Sequence, residues 1–307
     1  MRRDLVTLAR RYLPAGAARR LYEWRRSLRR WRFRLRQLVG GRRVAADDCR
    51  LVLARLGVGR GDVVMVHSAL SRLGEVEGGA EKLLDVLLEA VGSEGTLLMP
   101  AFPTIGGMAA HLAAHPCFDA ARDPSRMGQL TERLRLHPRA RRSLHPTHSV
   151  VAVGPRAEYL TDGHERCVSP FGPESPFQKL LNLDGKILCL GVEIAYISSL
   201  HLPEEMIRNF SVKVYLDRPA QARVVDRHGR EHTVTTLVHD PAVAATRIEK
   251  NPRLLAELRR ILRERGILRE ERLGTGLASL LGARALEEGL EELAATGLTI
   301  YSVRGGA

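Results

Sequence analysis

No apolar run in the 307 residues approaches the roughly 18 consecutive positions of a membrane-spanning helix, so no spanning segment is expected. Cysteine is scarce: Cys49, Cys117, Cys167 and Cys189 stand far apart, with no Cys-x-x-Cys spacing and no secretory leader ahead of them. This argues against a disulfide framework and against a thiolate zinc site, and it points to a reducing cytoplasm. The lysine of a P-loop and the glycine spacing of a dinucleotide fingerprint are both missing, and there is no internal repeat. Only five lysines occur, so positive charge rests on arginine.

That arginine is unevenly spread. A formal charge of +13 would by itself suggest a nucleic-acid partner. Residues 1–43, however, hold 15 arginines against Asp4 and Glu23 alone, so that of the 48 basic and 35 acidic residues the remainder of the chain keeps 33 of each. The body is formally neutral, and no nucleic-acid partner is expected for it. Two segments follow: a basic arm, 1–43, and a body, 44–307.

In the arm, Leu21, Trp24, Leu28, Trp31, Leu35 and Leu38 recur at spacings of three and four, which places them in one stripe on a helix. Arginines at 25, 26, 29, 30, 32, 34 and 36 occupy most other positions. Such a helix suits an anionic membrane surface. It equally suits packing on the body or on a sister subunit, and its Arg-rich, acid-poor composition is shared by nucleic-acid-binding and targeting segments.

The body alternates strand-like and helix-like stretches. A helical pattern over 45–56 ends at Gly57, and Val63–Val66 reads as a buried strand running into His67-Ser68-Ala69-Leu70-Ser71. Helices are predicted over 80–91, 127–136, 158–161 and 177–181, with buried strands at 96–99, 150–153 and 187–190 and a long loop from Pro103 to about Pro124. Beyond these, 212–217, 221–225 and 233–238 read as antiparallel strands, followed by a helix over about 242–265, a final helix over 283–295 and a closing strand, 298–303. The expected architecture is a single large α/β domain with a central mixed sheet flanked by helices, a small antiparallel β insertion, and the basic helical arm. In open sheets ligands collect at one end of the strands. His67, His145, His148 and His201 all lie next to strand ends.

The pair His201-x-x-Glu204 follows the Ile187–Leu190 strand and Gly191. Residues three apart share a helix face, so the carboxylate can hold the imidazole as a general base. With a third ligand from His145 or His148 the same pair could hold zinc for a hydrolase. A helix N-terminus with acids on its favourable end is the plain structural alternative. Ser68–Ser71, a small polar loop between strand and helix, has the layout of a phosphate cradle.

Taken together, these segments resemble the antibiotic, or aminoglycoside 3-N-, acetyltransferases. The resemblance rests on Val66-His67-Ser68-Ala69-Leu70-Ser71 with Gly78-Gly79, on His145-Pro146-Thr147-His148-Ser149, on Gly172-Pro173-Glu174-Ser175-Pro176, on Asp184-Gly185-Lys186 through Gly191-Val192, and on Ser199-Leu200-His201-Leu202-Pro203-Glu204. It runs over about 46–303 and leaves the arm out. It implies transfer of an acetyl group from acetyl-CoA to an amine, without a metal or a covalent enzyme intermediate. His201 is then the general base and Glu204 its orienting carboxylate. Ser68, Ala69, Leu70 and Ser71 are implied as the coenzyme cradle, with His145, Ser149 and Ser199 lining the cleft, while His148 is a weaker match and His164 is expected to be structural or on the surface. A cytoplasmic enzyme is implied, peripheral to the membrane if the arm docks there. Without catalysis, the same chain would be a membrane-docked scaffold.

Two departures bear on the acceptor. The segment 193–198, Glu-Ile-Ala-Tyr-Ile-Ser, lacks the aspartate often found there in the family, which leaves Glu193 or Glu205 to assist Glu204. A polycation needs a carboxylate-rich site, yet 101–122 contains only Asp119 as an acid. An amino sugar on a nucleotide or lipid carrier is the expected alternative acceptor.

Overall fold

The computed structural model describes residues 43–104 and 106–301. The amphipathic stripe of the arm lies outside the described residues. Along the body the elements are α1 (Ala46–Leu56), β1 (Val63–Ser68), α2 (Gly79–Val91), β2 (Thr96–Pro100), α3 (Met108–Ala114), β3 (Cys117–Asp119), α4 (Gln129–Arg135), β4 (Arg141–Arg142), β5 (Val150–Val153), α5 (Ala157–Thr161), α6 (Pro176–Asn182) and β6 (Lys186–Leu190). Then come α7 (Pro203–Met206), β7 (Ala220–Val225), β8 (Glu231–Thr236), α8 (Pro252–Glu264), β9 (Leu268–Leu273), β10 (Gly276–Gly282) and α9 (Ala283–Ala295).

Seven strands form one mixed sheet in the order β9-β10-β6-β1-β2-β5-β4. Its centre is parallel, with β1 between β6 and β2, and its flanks are antiparallel. The four buried runs are apolar at every position because both faces of the sheet are covered. Val64, Val66, Leu97, Met99, Leu188 and Leu190 pack on one side with α1, α2 and α4. Met65, Leu98, Ile187 and Cys189 point to the other side, against Phe171, Phe177 and the apolar stripes of α8 and α9. Successive side chains thus feed two cores in strict alternation.

Several expectations are corrected. The loop after Pro103 contains α3 and β3, and β3 pairs parallel to β7, so the small insertion is a three-stranded sheet, β8-β7-β3, and not purely antiparallel. Val212–Asp217 is no strand: only Tyr215 bridges to His239. The helix expected over 242–265 is broken, because Asn251 caps a new helix by accepting the Leu254 N–H at 3.1 Å and Pro252 occupies its first position. Leu298 has no regular structure, Thr299–Tyr301 are bridge and turn residues, and 302–303 lie outside the described residues. The β9–β10 hairpin was not foreseen. β9 reads Leu-Arg-Glu-Glu-Arg-Leu, whose charged middle hides a strand that lies at the sheet edge, where charge blocks further pairing.

Candidate active site

The site is assembled where β6 hands the chain back across the end of β1. The Ala69 N–H donates to the Leu190 carbonyl at 2.8 Å. Gly191 then turns with φ +69°, and a Cβ there would stand 2.8 Å from the Ala69 oxygen. Only glycine lets the two loops pass so closely. Two 3-10 turns, Ile194–Tyr196 and Ser198–His201, lead into α7, which Pro203 opens.

This winding brings His201 and Glu204 together, with His201 Nδ1 2.5 Å from Glu204 Oε1. Two further groups, unsuspected from the sequence, complete the carboxylate's shell. Tyr301 donates its hydroxyl to Oε1, and His239 Nε2 lies 3.1 Å from Oε2. Burial pushes Glu204 toward the neutral acid, but its electrostatic interaction and hydrogen bonds with the two imidazoles, His201 and His239, win, holding its carboxyl well below the usual range. His239 goes the other way: burial lowers it to about 4 despite its bond to Glu204, so it is a neutral donor. Burial and the adjacent carboxylates push Tyr301 and Tyr215 far above the normal phenol range. Phe171 stacks on His201 at 5.1 Å, and Tyr215 stacks on His239 at 4.8 Å.

The carboxylates proposed as helpers are engaged elsewhere. Glu205 accepts from Tyr215 OH at 2.6 Å, and Glu193 pairs with Arg259 at 3.2 Å. Their place beside Glu204 is taken by His239 and Tyr301. His239 closes the insertion hairpin at a strand end, the same position that singled out the other histidines; Tyr301 carried no such signal.

The remaining site residues fall into two groups. Ser68 and Ala69 line a cavity of about 210 Å³ at the strand ends, together with His67, Arg72, Val192 and Tyr196. Leu70 packs on the core beneath, and Ser71 is exposed. His67 is buried, its Nε2 has no partner, and desolvation lowers it to about 4. Ser199 is likewise buried with an unpartnered Oγ.

His145 and Ser149, expected on the cleft, are structural here and present no accessible polar atom. His145 Nδ1 accepts the His148 N–H at 3.0 Å, its Nε2 meets Thr236 Oγ1 at 3.2 Å, and its ring stacks on that of His164. Ser149 Oγ donates to the Ala101 carbonyl and accepts from Arg142 Nε, which ties the long loop to β5. Buried polar atoms need partners, and these have found them. Of the two places expected for His164, the surface is ruled out: it is fully buried between Ser143 and the Pro170 carbonyl. His148 comes nearer the centre, edge-on to Phe171 at 5.2 Å and 6.4 Å from the His239 ring.

For the zinc alternative, the expected third ligand is replaced as well. Among the described residues the metal-capable group is His201, Glu204 and His239, whose ligand atoms lie within 4.8 Å of one another. Those atoms are already hydrogen-bonded among themselves, so the donor set is spent on orienting an imidazole.

Residues 65–294 match the family model of the aminoglycoside 3-N-acetyltransferases. The chain belongs to that family. Aminoglycoside N(3)-acetyltransferase VIII of Streptomyces fradiae is 37% identical over 166 residues, which cover 50% of this chain and 57% of that protein. The chain thus spans little more than half the length of that curated relative. Among solved structures, AAC-IIIb in its binary complex with CoASH superposes with a TM-score of 0.69 at 25% identity, covering 85% of this chain and all of that one. AAC-VIa bound to sisomicin gives a TM-score of 0.67 at 28% identity, covering 82% and 98%. The mixed sheet described above is therefore the family's fold. Among the described residues, no helix is long and apolar enough to cross a membrane.

Proposed function

We propose that this member of the family transfers the acetyl group of acetyl-CoA to an amino group of an aminoglycoside, at the 3-N position, or of a related amino sugar, with His201 as general base. The observation that carries the reading is the 2.5 Å contact between His201 Nδ1 and a buried, ionised Glu204. With Nδ1–H committed to the carboxylate, Nε2 is the atom left to take a proton. An amine is protonated at neutral pH and must lose a proton to attack a thioester. His201 takes that proton, and the freed lone pair then forms the C–N bond; the tetrahedral intermediate expels the thiolate, which takes up the extra proton the nitrogen still carries and leaves as coenzyme A, with the neutral amide as the other product. The imidazolium formed meanwhile is balanced by Glu204, which His239 and Tyr301 hold in place.

Ser68 and Ala69, at the mouth of the strand-end cavity, are the main coenzyme contacts in this reading, with Leu70, Ser71 and Ser199 around them. AAC-IIIb with CoASH supports the donor, and AAC-VIa with sisomicin supports the acceptor class. The direct test follows free thiol release from acetyl-CoA over a panel of aminoglycosides and amino sugars. Release that depends on an amine acceptor is expected, and none with any acceptor would overturn the proposal.

The arm, 1–43, we read as a separate segment that docks on an anionic membrane surface, with the catalytic body, 44–307, on the cytoplasmic side. Its charge supports this: 15 arginines against two acids. Full-length protein is expected to co-sediment with phosphatidylserine vesicles at low salt, and a variant lacking 1–43 to stay in solution. Equal sedimentation of both rejects the membrane role, and a change of oligomeric state on truncation would assign the arm to a sister subunit.

A further inference from the structure

Arg247 stands at the start of the 3-10 turn Ile248–Lys250, which the Ile248 N–H ties to the Ile300 carbonyl at 2.8 Å, next to Tyr301. Its guanidinium carbon lies 5.9 Å from the centre of the Tyr301 ring. Nε and one terminal nitrogen, Nη2, are buried with no hydrogen-bond partner. Tyr301 in turn bonds Glu204, so this cation borders the His201–Glu204–His239 group, and its charge is felt at both His148 and His239.

Tyr301 engages one side of this guanidinium, but two of its N–H-bearing nitrogens stay buried without an acceptor, and their desolvation is uncompensated. The nearby acids do not relieve it. Glu204 already accepts from three groups, and Glu205 accepts from Tyr215. We propose that Arg247 receives an anionic group, a carboxylate or a phosphate, carried by the amine acceptor itself.

The planar fork of arginine matches either oxyanion. Its position behind Tyr301, which bonds the carboxylate holding the general base, places that anion on the molecule whose amine is being deprotonated. The coenzyme is also an anion, but its cavity is bordered by Arg72 and not by Arg247, His201 or Glu204. A polycationic acceptor fits less well. Asp119 and Asp123, the acids of the long loop, accept N–H groups of the loop's own turn, Asp119 from Ala121 and Arg122 and Asp123 from Asp119. This inference rests on the acetyltransferase reading and narrows its substrate to amino sugars that bear an acid.

The test has a catalytic arm and a binding arm. In the first, thiol release is measured with glucosamine, glucosamine 6-phosphate and muramic acid, for the unaltered protein and for Arg247→Met and Arg247→Lys. At least one acid-bearing sugar is expected to exceed glucosamine in kcat/KM by about 10–100-fold. That ratio is expected to collapse toward one in Arg247→Met, with the KM for acetyl-CoA unchanged. Phosphate or carboxylate is identified by which sugar gains. Equal turnover of all three sugars, or a raised KM for acetyl-CoA, would overturn the proposal, the latter because the anion would then belong to the coenzyme.

In the binding arm, which needs no turnover, inorganic phosphate and acetate are added with coenzyme A saturating. One of them is expected to raise the melting temperature of the unaltered protein but not of Arg247→Met. Without anions Arg247→Met is expected to melt no lower than the unaltered protein, since it removes two buried nitrogens that have no acceptor. A clearly lower melting temperature would show that the guanidinium is a structural group and reject the inference. If no sugar or aminoglycoside releases thiol, the acetyltransferase reading fails, while the anion test still decides the role of Arg247.

Discussion

His201→Ala is expected to lower the rate of thiol release from acetyl-CoA by about 10²–10⁴-fold, the usual contribution of a positioned general base, while coenzyme A binds as before. Binding is preserved because the strand-end cavity is lined by residues of 66–72 and 192–196 among others, and not by His201. The rate falls because no other group is placed to replace it. His239 is held neutral by burial, and its Nε2 faces Glu204. His145 has both nitrogens in use. Single-turnover thiol detection with calorimetry of coenzyme A binding separates the two effects. Turnover that survives in His201→Ala would sink the general-base assignment. Glu204→Ala is the poorer probe: it would strand the bonds of His201, His239 and Tyr301 in a buried site and so destabilise the fold as well as the base.

The sequence revealed what repeats with a period or a short spacing. The buried runs at β1, β2, β5 and β6 were legible because both faces of the sheet are covered and every position is apolar. The His201–Glu204 contact was legible because three residues separate them. What stayed hidden depends on distance along the chain. His239 lies 35 residues from Glu204 and Tyr301 lies 97 residues from it, and neither spacing leaves a trace in the local pattern. His145 and Ser149 show the opposite case, in which residue type and position do not reveal the local bonding. Their types and strand-end positions suit a cleft, but a long loop packed against a sheet needs internal partners for its backbone, and these side chains supply them. The edge hairpin β9–β10 was missed because an edge strand of this kind is written in charged residues.

That reliance on buried histidine has a consequence for the whole fold: stability is expected to fall steeply as pH drops from about 6.5 toward 4. Desolvation lowers His67 to about 4, His164 to about 3 and His239 to about 4, and it carries His145 and His148 well below the normal value. Each of these groups has a folded pKa below its unfolded one, so the unfolded chain takes up the proton first. Their contribution is complete above about 6.5 and is lost progressively as pH falls toward the folded values. Each proton is worth about 1.4 kcal/mol per pH unit in that window, so three to five histidines together remove about 4–7 kcal/mol per unit, against a total stability of about 5–15 kcal/mol. Glu204 and Asp226, both lowered, add to the loss at still lower pH. Glu287 opposes it. Burial raises that carboxyl to about 8, so between its unfolded value and 8 it is the folded state that holds the extra proton. One opposing group cannot cancel five, and Glu287→Gln is expected to steepen the acid side of the profile by about one proton. Urea melts at pH 5, 6, 7 and 8 check this: the midpoint should fall sharply below pH 6.5 at a nearly constant slope. A midpoint that stays flat between pH 7 and 5 would mean that these imidazoles are hydrated enough to titrate in the folded protein.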